Sequence, residues 1–178
     1  ILFLFFAILT IFIRQEAVNF YTKGNAYKFP LEEKTVKGNL YVHYADRKDI
    51  ENGNLVWIYI NEDELRKGWN LLSQIKYDSL DSKGQEIRFT LIRYLTSAGL
   101  RKDSSGLYSL PRAEIKFIEN GTTNRLFTEG NLIRTKLYET IWQIDYYRNG
   151  GNPSGHSVTQ RMEFMKTGWN LFVRSLFF

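Results

Sequence analysis

The first thirteen positions, ILFLFFAILTIFI, are apolar with one threonine, and the first charge is Arg14. A helix of that length reaches only ~20 Å of the ~30 Å hydrocarbon core of a bilayer. The pattern therefore predicts a truncated transmembrane helix over residues 1–13, completed by residues upstream of Ile1. A signal-peptide hydrophobic region is the rival reading, but no A-x-A-like cleavage site follows. At the other end GWNLFVRSLFF is again apolar and carries no stop signal. Both ends then point at a membrane, with residues 14–157 between them as a large extramembrane loop domain.

Within that loop the periodicity is mostly helical. TVKGNLYVHY (35–44) alternates Val36, Leu40, Val42 and Tyr44 with polar positions, and NLVWIYI (54–60) is a β-branched and aromatic run. ADRKDIENG supplies turn residues between them, so the two runs are predicted to pair as strands. Asn61 and Glu64 form a capping-box pattern opening a helix with Leu65, Trp69 and Leu72 on one face. Ser82 and Gln85 repeat the pattern ahead of a helix carrying Ile87, Leu91, Tyr94 and Leu95, which Gly99 ends. Ser109 as cap and Pro111 in the first turn start another helix that stops at Gly121. The segment 131–149 places Leu137, Ile141 and Ile144 on a stripe and ends at Gly150-Gly151.

After Pro153, Ser157 with Gln160 makes a further capping box, and residues 158–178 are expected to form an amphipathic helix leading into the next membrane segment. Val158, Met162, Met165, Trp169, Phe172, Val173 and Leu176 share its apolar stripe; Glu163, Lys166, Asn170 and Arg174 lie opposite. The fold class expected is mainly α with a small β-hairpin, flanked by transmembrane segments.

Composition narrows the chemistry. The 178 residues are 43% hydrophobic and 16% aromatic, enough for a sizeable core. Absence of cysteine excludes disulfides and thiolate metal sites without choosing a compartment. The net charge of +5 suits anionic lipid, nucleic acid or a phosphorylated substrate equally. Positive-inside counting loses force for loops beyond about 60 residues, so charge leaves the side of the membrane open.

Most reaction motifs are missing. His43 and His156 are distant, so a zinc site is not expected, and no cofactor is implied. GNPSGH is not a nucleophile elbow, and there is neither a P-loop nor a dinucleotide fingerprint. The basic and aromatic residues of IRFTLIRYL fit an amphipathic core helix better than a nucleic-acid surface. One oddity stands out: Arg161 lies in the first turn of the last helix, at the positive end of its dipole, where a bare cation is disfavoured. Free N–H groups at that helix start, with Ser157, the Arg161 fork and His156, would make a phosphate or pyrophosphate site. Pairing of Arg161 with Glu163 or another carboxylate, with His156 filling a turn, is the plainer alternative.

The strings ENGNLVWIYINEDEL, YDSLDSKGQEIRFTLIRYLTSAGLRKD and WQIDYYRNGGNPSGHSVTQRMEFMKTGWNLF, spread over Glu51 to Phe172, resemble the large extracytoplasmic loop of membrane proteins of the O-antigen ligase and O-antigen polymerase family. The resemblance implies a multi-pass inner-membrane protein with this loop in the periplasm. It also implies transfer of a glycan from a polyprenyl-pyrophosphate carrier to lipid A core or to another glycan acceptor, in contact with membrane lipid and without nucleic acid. On it, Arg161 is the catalytic residue that holds the diphosphate, with Trp169 completing the motif. The family's catalytic histidine lies in a later segment, after a glycine-rich strand that this sequence does not contain, so His156 does not inherit that role. Met165 also departs from the pattern. A membrane-anchored binding or structural module without catalysis is the contrasting expectation.

Overall fold

The computed structural model describes residues 2–22, 30–44, 46–154 and 156–176 of the chain. Ile1 and the last two positions of the expected 158–178 segment lie outside the described residues. The architecture is mainly helical with one two-stranded antiparallel sheet, as the periodicity predicts. It divides into two compact units, residues 1–132 and 133–178.

In the first unit, α1 (Leu2–Thr22) does not stop at Ile13 but continues through Arg14 and Glu16. Its 21 residues measure about 31 Å. The stretch Phe3–Tyr21 is long and apolar enough to cross a membrane, and its side chains are mostly bare: Phe3 is 88% exposed, while Phe20, near the far end, is buried.

The sheet is smaller than the sequence suggested and sits elsewhere. Strands β1 (Ile50–Glu51) and β2 (Asn54–Leu55) pair with Ile50 opposite Leu55. The turn between them is Asn52-Gly53, both at positive φ (49° and 75°), the backbone a tight two-residue hairpin requires. The expected pairing of 35–44 with 54–60 reduces to one antiparallel bridge, Val42 with Ile60, plus a bond from the Tyr44 N–H to the Trp57 carbonyl (2.7 Å). Extension fails at Tyr59, whose φ is 56°, and Ile60 then bridges in parallel to Lys102.

Four helices enclose the core. On α2 (Glu62–Leu72), Leu65 and Trp69 are fully buried, and the Trp69 indole N–H donates to the Ile75 carbonyl (2.8 Å). On α3 (Ile87–Ser97), Ile87, Leu91, Tyr94 and Leu95 are buried as their spacing predicts. Gly99, at φ 72°, stops α3 while the Leu100 N–H returns to the Leu95 carbonyl. The short α4 (Ser104–Tyr108) is an addition to the expected elements; Ser109 ends it and does not cap the next helix. That helix, α5 (Arg112–Glu119), starts after Pro111 and contributes Ile115 and Ile118. Ser82 also caps nothing: its N–H donates to the Glu119 carbonyl, and the loop ahead of α3 is organised by Asp81, which accepts from the N–H groups of Lys83 and Gln85 and from the Thr90 hydroxyl.

The second unit is a helix, a connector and a helix: α6 (Leu132–Arg148), which begins at the boundary, and α7 (Ser157–Leu176). Gly150, at φ 87°, ends α6 as expected. Gly151 has no room for a side chain, since a Cβ there would lie 2.3 Å from the Tyr146 ring. The start of α7 is capped differently from the Ser157–Gln160 expectation. His156 precedes the helix and its carbonyl accepts from Gln160 N–H (3.0 Å), while the Val158 N–H is satisfied by the side chain of Gln143 on α6 (3.1 Å).

Candidate functional site

The three residues singled out by the sequence fall at the start of α7: His156 just before it, Ser157 and Arg161 within its first two turns. Ser157 is its first residue and is exposed. The half-buried His156 ring is turned back toward α6, edge-on to Trp142 (5.5 Å between centroids) and Tyr146 (5.4 Å), whose own rings lie 7° from parallel. This is a packing position: two aromatic faces and a tight glycine connector hold the ring. Arg161 is exposed, and among the described residues it makes no hydrogen bond or ion pair. Glu163, the carboxylate proposed for it in the plainer reading, lies 4.0 Å from Lys166 instead. The chain thus brings the three residues close in sequence, but no described bond joins them. Beyond them, α7 bares Met165 (75% exposed), Trp169 (65%) and Phe172 (53%).

The first unit holds polar chemistry that the sequence reading did not single out. Glu64, buried on α2, receives four hydrogen bonds: Oε1 from the Thr35 hydroxyl (2.6 Å) and the Asn39 amide (2.7 Å), Oε2 from the Ser104 N–H (3.1 Å) and hydroxyl (2.5 Å). Burial by itself would raise its pKa, but the donors from Ser104, Thr35 and Asn39 outweigh it and pull the carboxyl down to about 2. Asp103 is fully buried between the Tyr41 hydroxyl and the Gly106 N–H. Burial, then the bond to Asp103, raises the Tyr41 phenol well above its ordinary range. Glu51 accepts from Arg93 (2.7 Å) and from the Asn124 amide (2.7 Å). Each of these carboxylates joins segments far apart in the chain.

Lys102 is the exception among buried charges. It is 3% exposed, and its ammonium donates to the Leu55 carbonyl (3.1 Å). Burial first, and the neighbouring Arg101 second, push its pKa down to about 7. Among the described residues no three His, Asp or Glu side chains are grouped so as to hold a metal ion.

An open cleft of about 570 Å³ lies beside Glu64, between the loop 37–40, α2 and Tyr108 of α4. Sequence offered one signal for the buried network, the Asn61–Glu64 pattern. Only half of the capping box forms: Asn61 accepts from the Glu64 N–H (2.9 Å), but the Glu64 carboxylate turns to Thr35, Asn39 and Ser104 instead of returning to the Asn61 N–H. No family model, curated protein or solved structure matches the chain.

Proposed function

We propose that the chain is the extramembrane loop, with flanking membrane segments, of a multi-pass inner-membrane glycosyltransferase of the O-antigen ligase type. It would transfer a glycan from a polyprenyl-pyrophosphate carrier to lipid A core at the periplasmic face; a polymerase using the same carrier and a glycan acceptor is the close variant. The supporting observation is Arg161, an exposed guanidinium without a described partner, at the N-terminal end of a 20-residue helix that bares an apolar surface. A cation there lacks a structural counter-charge, and a diphosphate would supply one.

In that reaction the acceptor hydroxyl attacks the anomeric carbon as its bond to the carrier phosphate breaks. Negative charge builds on the departing diphosphate, and the planar fork of Arg161 can donate two parallel N–H groups to it in a fixed geometry that the compact ammonium of a lysine lacks. The hydroxyl proton needs a base. His156, held against Trp142 and Tyr146, is not assigned that task, which falls to a histidine outside this chain.

The test is Arg161→Ala and Arg161→Lys in the full-length protein, read on glycan ladders with membrane insertion monitored. Loss of transfer in both, at unchanged expression, is expected; transfer at the parental level refutes the role of Arg161. His156→Ala is expected to reduce transfer less.

A non-catalytic anchored module is the second reading, favoured by the first unit. There Glu51, Glu64, Asp81 and Asp103 are all engaged in structural hydrogen bonds. A full gene with a single membrane anchor would select this reading; many spans of about 20 apolar residues would select the enzyme.

A further inference from the structure

Helix α7 is barely held by its own unit. Thr159, in its first turn, is buried; from there to Ser175 every side chain is exposed except Glu163 and Val173, which are half-buried. At about 100° per residue its side chains sort into two arcs. Thr159, Glu163, Lys166, Thr167, Asn170 and Arg174 share one, so the closest packing falls on the polar side. Met162, Phe164, Met165, Trp169, Leu171 and Phe172 occupy the other, which takes more than half of the circumference and holds a single charge, Arg161. With four charged side chains in its 20 residues α7 is not apolar enough to cross a bilayer; among the described residues only Phe3–Tyr21 is.

The residues choose between a helix partner and a lipid surface for this arc. Val158, Met162, Met165, Trp169 and Phe172 follow the alternating four- and three-residue spacing of a coiled-coil seam, which a second copy could share. In a parallel pair, however, Arg161 of one copy would face Lys166 of the other, a repulsive contact. Any single helix also covers only the seam, leaving Phe164 (75% exposed) and Leu171 (62%) in water. A membrane leaflet covers the whole arc and supplies phosphate oxygens at its polar edge, where a guanidinium on the apolar side finds a counter-charge. Residues 133–178 carry six lysine and arginine side chains against three carboxylates, which favours anionic lipid.

We propose that α7 lies in the plane of an anionic bilayer leaflet, with its apolar arc in the upper acyl region and Arg161 at phosphate depth. This deepens the proposed function and rests on its reading of a bilayer beside the chain, because it sets Arg161 at the depth where a carrier lipid presents its diphosphate. Seating is measured without glycan transfer, so the two separate. Seated α7 with transfer indifferent to Arg161 sinks the enzyme reading alone; unseated α7 with transfer lost in Arg161→Ala sinks this one alone.

The chain has no cysteine, so single cysteines can carry a nitroxide label at chosen positions. The test uses the full chain in lipid nanodiscs containing phosphatidylglycerol, with Met162→Cys, Met165→Cys and Phe172→Cys on the apolar arc and Thr167→Cys and Asn170→Cys on the polar arc. Collision with oxygen, which concentrates in the acyl region, and with a water-soluble nickel chelate gives the depth of each label. The three apolar-arc labels are expected at one shallow depth, open to oxygen and shielded from nickel, and the two polar-arc labels open to nickel. Exchanging phosphatidylglycerol for phosphatidylcholine should lower the ratio of seated to unseated α7 about tenfold, and Lys166→Gln/Arg174→Gln in the original discs should do so by a similar factor. Depth that changes steadily from 162 to 172 would mean a crossing helix, shielding from both reagents a protein partner, and nickel access at every site a helix in water. Each of these, or seating indifferent to lipid charge, overturns the proposal.

Discussion

Glu64 and Ser104 are 40 positions apart, yet the serine gives both its backbone N–H (3.1 Å) and its hydroxyl (2.5 Å) to one carboxylate oxygen of the glutamate. This double bond of donor groups ties the start of α4 to α2. Thr35 and Asn39 bind the other oxygen and add the loop before the sheet to the same point. A buried carboxylate with four donors is favourable only while all are present, because each donor left without its partner costs free energy.

Glu64→Gln should therefore destabilise the fold by about 3 kcal/mol at neutral pH, since an amide cannot accept from all four donors. The parent should also be acid-sensitive in a defined window. Its carboxyl is lowered from 4.5 to about 2, so the stabilisation is complete above 4.5 and is lost as the pH falls through about 2. Urea unfolding from pH 6 to pH 2 checks this; a variant-to-parent difference that does not shrink on acidification would count against the network.

Lys102 predicts a slope of the same sign in a second window, on the alkaline side. Its folded value is lowered from 10.5 to about 7, so unfolding takes up a proton between those limits. Stability relative to Lys102→Met should rise with pH across that window and level off above it, by a total of a few kcal/mol. Unfolding midpoints of both proteins at pH 6, 8 and 10 give the measurement. A constant difference would mean that the ammonium remains charged in the fold.

Gly106 is a steric checkpoint for α4. A Cβ there would fall 2.0 Å from the Arg101 carbonyl oxygen, a backbone atom with no freedom to swing aside. Gly106→Ala is expected to cost about 3 kcal/mol and to loosen the Asp103 cap, which accepts from the Gly106 N–H. Thermal unfolding reports the loss; unchanged stability would show that the segment 101–106 can shift.

Tyr77 offers a gain. Its ring is fully buried, and among the described residues its hydroxyl has no hydrogen-bond partner. Tyr77→Phe should raise stability by about 1 kcal/mol by removing an unsatisfied polar atom while keeping the ring beside Arg66. A loss of stability instead would indicate a bond to water at that hydroxyl.

By itself, the sequence determined the elements whose signals are local. The spacing of Leu65 and Trp69, and of Ile87, Leu91, Tyr94 and Leu95, marks the faces that α2 and α3 bury, because helical periodicity acts within a few turns. Gly99, Gly121 and Gly150 end helices because each takes a positive φ that a side chain would strain. The Asn52-Gly53 hairpin was equally local, but the longer apolar runs around it drew the strand assignment outward; the turn pair was the stronger signal.

Tertiary structure alone decided which partner each polar group takes. Nothing near Glu64 in the chain points to Thr35 or Ser104, and Ser157 looked like a cap until Gln143 on the preceding helix supplied the acceptor for Val158. Capping and charge pairing depend on which donors the fold delivers within about 3 Å, a distance that sequence separation does not encode. The position of Arg161 at the head of α7 was legible in the sequence; that its guanidinium has no described carboxylate beside it was not.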